Sequence, residues 1–78
     1  MKRKYVSVVT LYDLAGNISP LFIVWDNGVK YKIDRVIQRC PASLFESGGS
    51  GIRYTCLFNG QRRYLFLDEN KWYIESQS

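Results

Sequence analysis

Leu21-Phe22-Ile23-Val24-Trp25-Asp26-Asn27-Gly28-Val29-Lys30-Tyr31-Lys32-Ile33 decides the fold class, because two apolar runs flank a turn signal and only one register between them gives a clean face. With Asn27-Gly28 as a two-residue loop, Trp25 would face Lys30 and Ile23 would face Lys32, and both faces come out mixed. With Asp26-Asn27-Gly28 as a three-residue loop and Gly28 in the left-handed region, Trp25 pairs with Val29, Ile23 with Tyr31 and Leu21 with Ile33. One face is then wholly apolar, while Phe22, Val24, Lys30 and Lys32 share the other, as in an antiparallel pair with one buried side. The sequence therefore predicts a three-residue hairpin.

The same chemistry extends in both directions. Lys4 to Asp13 is dense in β-branched and aromatic residues with no Gly or Pro, which predicts a first strand. Asp13-Leu14-Ala15-Gly16-Asn17 turns the chain, and Pro20 is expected at the start of the second strand, where its missing N–H costs no ladder bond. The third strand continues to Cys40, with a phase shift at Arg35-Val36-Ile37 that predicts a β-bulge or sharp bend. Pro41 ends it, and one helical turn within Pro41 to Ser47 would bring Leu44 and Phe45 over one end of the core. The glycine-rich Ser47-Gly48-Gly49-Ser50-Gly51 follows as a crossover. A fourth strand, Ile52 to Phe58, turns at Asn59-Gly60-Gln61 into a fifth, Arg62 to Asp68. Glu69-Asn70 then leads to a sixth, Lys71 to Glu75, with Leu67 opposite Trp72 and Leu65 opposite Ile74. The expectation is an all-β single domain over residues 1–78, a six-stranded antiparallel meander that closes into an SH3-like barrel and so removes its free edges.

Composition narrows the chemistry. No histidine occurs in the chain, which removes the usual general base, the Ser-His and Cys-His pairs and the commonest transition-metal ligand. Asp13, Asp26, Asp68 and Glu69 fall at turns, where carboxylates solvate or cap the backbone. Asp34 lies mid-strand beside Arg35, and a structural role is the favoured reading there. A catalytic use of Asp34 with Arg53 has no further support, so the expectation is a non-enzymatic protein with no cofactor and no metal. Cys40 and Cys56 are too few for a disulfide framework and lack the partners a zinc site needs, so they read as reduced thiols. The basic start Met1-Lys2-Arg3-Lys4 precedes no signal-peptide core, and the apolar runs fall far short of the ~20 residues of a membrane span, which makes the cytoplasm the default compartment.

Glycine-rich loops invite comparison with phosphate cradles. Gly49-Ser50-Gly51 lacks the Lys and the helix of a P-loop and the third glycine of a dinucleotide fold, so it reads as a connection. The stronger hint is the interleaving of cations and rings at Lys30-Tyr31-Lys32, Arg53-Tyr54 and Arg62-Arg63-Tyr64, in a chain of net charge +4. Nucleic-acid-binding barrels use this mixture, with cations on phosphates and rings stacking on bases. Simple strand alternation competes with it, since Tyr31 and Tyr54 share the parity of the apolar face. Lys30, Lys32, Arg62 and Arg63 are expected to point outward, and Lys30, Lys32, Arg53, Arg62, Arg63 and Tyr64 are the candidate contacts to nucleic acid or to a partner protein. The competing reading is a protein-interaction or self-associating module that offers a strand edge or an aromatic groove.

Pro20, Trp25, Gly28, Tyr31, Ile33-Asp34-Arg35-Val36, Ala42-Ser43, Gly48-Gly49, Gly51, Arg53-Tyr54, Leu65-Phe66 and Trp72 together span most of the chain. In these positions it resembles an uncharacterised family of small Firmicutes-type bacterial proteins. The resemblance implies an association with Y-family, error-prone DNA polymerases and hence with translesion synthesis. It assigns no functional residues.

Overall fold

In a computed structural model that describes residues 2–44 and 51–76, the chain forms seven strands and almost no helix. They are β1 (Lys2–Tyr12), β2 (Ile18–Val24), β3 (Lys30–Lys32), β4 (Arg35–Pro41), β5 (Ile52–Phe58), β6 (Gln61–Asp68) and β7 (Lys71–Ser76), with one 3-10 turn over Ala42–Leu44. All lie in one curled antiparallel sheet in the order β3-β2-β1-β7-β6-β5-β4. Residues 45–50 lie outside the described residues, and with them Phe45 and all of the glycine-rich loop except Gly51. The 3-10 turn falls inside the stretch expected to be helical.

The Leu21–Ile33 hairpin has the three-residue loop. Ile23 pairs with Tyr31, the Trp25 amide donates to the Val29 carbonyl at 2.9 Å, and the Gly28 amide donates to the Trp25 carbonyl at 2.8 Å. Gly28 sits at φ +83°, a conformation that a side chain disfavours. The turns Asn59-Gly60 and Glu69-Asn70 are two-residue loops with positive φ throughout, matching the right-handed strand twist. Leu67 stands opposite Trp72 as the spacing required, but the ladder ends at Phe66↔Tyr73 and the expected pairing of Leu65 with Ile74 does not form.

The expected third strand is in fact two, which corrects six strands to seven. The Ile33 amide donates to Leu21 of β2 at 2.9 Å, and the next amide, Asp34, donates to Leu57 of β5 at 2.8 Å. Consecutive amides in an extended chain point to opposite sides, so the chain leaves one edge of the sheet and joins the other within two residues. The Asp34 carboxylate also accepts the Asn59 amide at 2.8 Å, which ties this corner to the β5–β6 turn. Because β3 and β4 follow end to end, they cannot pair side by side, and no ladder joins them among the described residues. The sheet is a curled half-barrel, and among the described residues no ladder between its edge strands closes it into the expected SH3-like barrel. The predicted bulge lies in β4 between Val36 and Gln38. Pro20 does not open β2; it lies within the strand, opposite Thr10, beside a second irregularity between Val9 and Thr10 where proline is tolerated.

Alternation divides the side chains. Ile23, Ile33, Tyr54, Cys56, Leu65 and Trp72 fill the inner face, with Tyr54 and Trp72 rings 5.2 Å apart. Large side chains buried this fully contribute on the order of 1.5–3 kcal/mol each against exposure. The Tyr54 hydroxyl donates to the Ile18 carbonyl at 3.1 Å, and burial raises its pKa. On the outer face Phe66 stacks on Tyr73 at 4.8 Å and 6°, Ala42 packs with them, and the Arg3 guanidinium lies 4.4 Å over the Tyr73 ring. Cys40 and Cys56 are both free; the ladder sets Cys40 opposite Arg53 and Cys56 opposite Val36, so they are not cross-strand neighbours. Burial pushes the Cys56 thiol up to about 11.

Candidate functional site

The β6 strand is paired unequally on its two sides. Toward β5 the ladder runs from Phe58↔Gln61 to Ile52↔Leu67. Toward β7 it holds only Asp68↔Lys71, Leu67↔Trp72 and Phe66↔Tyr73, and then stops. Beyond Tyr73, β7 continues along β1, with Ile74 opposite Lys4 and Glu75 opposite Arg3. The sheet therefore splits between residues 61–65 of β6 and the end of β7. A cleft of about 1200 Å³ occupies the split. Since it passes between strands, side chains from both faces line it.

Arg62, Arg63, Tyr64 and Tyr31 line the cleft as exposed side chains at the lip with the half-buried Arg53, while the buried Ile23 and the half-buried Trp25, Phe58 and Ile74 form its wall. The Arg53 guanidinium lies 4.1 Å over the Tyr64 ring and reaches Gln38 Oε1 at 3.5 Å. Tyr64 is 49% exposed and Tyr31 48%, so each ring keeps accessible surface. Trp25 and Tyr31 meet edge to face at 6.4 Å and 89°. Glu75 carries the one carboxylate among the described lining residues, against three arginines. The excess positive charge at the lip suits an anion.

Four of the six predicted contacts converge here, and two do not. Lys30 and Lys32 stand opposite Val24 and Phe22 on the outer face of β3, the face Tyr31 does not share, and neither lines the cleft. Arg62 and Arg63 do not both point outward, because neighbours in a strand take opposite faces. Arg63 is opposite Cys56, on the inner side, whereas Arg62 shares the outer side with Tyr64. The Arg63 side chain folds back along β6, donating to Gln61 Oε1 at 2.6 Å and to the Arg62 carbonyl at 2.7 Å. Tyr54 is buried, as its parity required. Trp25 and Tyr31 were missed as site residues. The hairpin register put them on one face, yet nothing local reveals that this face ends at an opening.

Among the described residues no group of His, Cys, Asp and Glu could hold a metal ion, and no helix is long and apolar enough to cross a membrane. No family model, curated protein or solved structure matches this chain.

Proposed function

We propose that this chain is a non-enzymatic binding module that takes nucleic acid at the β6–β7 cleft, the curled sheet serving as a small SH3-like barrel with an opening in its wall. What supports the reading is the convergence of Arg53, Arg62 and Arg63 with the Tyr64, Tyr31 and Trp25 rings. Cations neutralise phosphates and release their counterions, while rings stack on bases whatever their sequence. Three phosphate contacts to a single strand would give a log K against log salt slope of about −2.

The test is anisotropy of a fluorescein-labelled oligonucleotide across a salt series. Arg62→Ala should weaken binding and flatten the slope by about 0.7. A Lys30→Ala/Lys32→Ala double variant should leave both nearly unchanged, since those lysines face elsewhere. Absence of binding at low salt would end the reading, and so would equal losses in the two variants, which would mean attraction to overall charge alone. A second reading has one observation of its own: β6 presents a strand edge without a ladder over residues 61–65, which an extended peptide could pair with.

A further inference from the structure

We infer that the cleft receives an unpaired base, with its phosphate held at the arginine lip, and therefore discriminates single-stranded or extruded nucleotides from duplex. The inference rests on the nucleic-acid reading and narrows it.

Ladder geometry supplies the first argument. Residues that flank a two-residue hairpin loop form a hydrogen-bonded pair, so Phe58↔Gln61 and Asp68↔Lys71 set the direction of every backbone group in β6. Gln61, Arg63, Leu65 and Leu67 turn their N–H and C=O toward β5. Arg62, Tyr64, Phe66 and Asp68 turn theirs toward β7. Phe66 and Asp68 meet partners there, whereas Tyr64, at the level of Glu75, and Arg62 beyond it lie past the last ladder pair. Donors and acceptors in sheet spacing thus face the gap without ladder partners. The Arg63 guanidinium already occupies the Arg62 carbonyl, as a polar group entering this gap would. A base edge carries both donors and acceptors, which suits such a wall.

The depth of the cleft supplies the second argument. Behind the backbone edges lie Ile23, which is 7% exposed, and the partly buried Phe58, Ile74 and Trp25. A duplex presents phosphates and groove edges, and would leave this apolar wall unfilled. An unstacked base presents a planar apolar face and can reach it. The Arg53–Tyr64 stack stands at the entrance, where the ring can extend the stack and the cations meet the phosphate.

One set of probes on the unmodified protein separates the outcomes. A labelled single strand is compared with the same strand in a blunt duplex, in a duplex with one central unpaired nucleotide, and with abasic sites replacing its bases. The single strand and the bulged duplex should bind at least about tenfold tighter than the blunt duplex, and abasic substitution should cost the single strand a similar factor. Binding should quench tryptophan fluorescence through Trp25 at the cleft, because Trp72 is buried away from solvent. Equal affinity for the blunt duplex, or for the abasic strand, would overturn the inference and leave the nucleic-acid reading in place. No binding by any oligonucleotide at low salt would overturn both. Saturable binding of an acidic peptide, but not of its N-methylated form, would assign the cleft to strand pairing and overturn the inference.

Discussion

Gly51→Ala should be among the most damaging single substitutions in this protein. Gly51 holds φ +100°, and a Cβ there would run into the Leu67 carbonyl oxygen, with Leu67 C at 3.1 Å and Asp68 Cα at 3.2 Å. Those neighbours are backbone of β6, which pairs on both sides at this point and cannot step aside cheaply. The left-handed conformation costs an L-residue about 1–2 kcal/mol by itself. Displacing Gly51 also strains the Ala42 amide bond to the Gly51 carbonyl, 3.0 Å long, for about another 1 kcal/mol. The sum is about 2–3 kcal/mol before any loss of the Ile52↔Leu67 pairing. A chain of this length has roughly 4–12 kcal/mol of stability in all, so the midpoint of thermal unfolding should fall by roughly 8–24 °C. Gly16 is the internal control, since its φ is +86° yet a Cβ there meets nothing within 4 Å. Gly16→Ala should cost the conformational term alone, about 1–2 kcal/mol. Urea unfolding followed by tryptophan fluorescence measures both, and the difference isolates the clash. Equal losses in the two variants would refute the steric argument.

Other consequences follow from single side chains. Thr55 is 4% exposed and its Oγ1 has no hydrogen-bond partner among the described residues, so Thr55→Val should raise stability by about 1 kcal/mol, read as a higher urea midpoint at unchanged slope. Asp34→Ala should lower stability by about 1–2 kcal/mol and speed exchange of the Asn59 amide, whose acceptor it removes. The native protein at pH 8 should alkylate at Cys40 and spare Cys56 until denaturant is added, by mass spectrometry. Because the Cys56 pKa is raised by folding, the folded state holds its proton longer. Its contribution is intact below about pH 9 and is lost as pH rises toward 11, and Cys56→Ala should remove that part of the alkaline decline.

Turn residues and alternation were enough to determine strand content, the hairpin at Asp26-Asn27-Gly28 and the pairing of Leu67 with Trp72, because loop length sets register among neighbours in sequence. The same local logic favours a buried Tyr54 and picks out Arg53, Arg62, Arg63 and Tyr64 as candidate contacts, without showing that they meet. It did not distinguish one bent strand from two, since the break at Ile33-Asp34 arises from amides bonding to strands over ten and over twenty residues away. Nor could it foresee the cleft. Where β7 leaves β6 for β1 depends on contacts between opposite ends of the chain, and only the folded sheet sets how long each ladder runs. The residue types at the site belong to the sequence. Their convergence on an opening, and the separation of Lys30 and Lys32 from it, come from long-range pairing that no local pattern encodes.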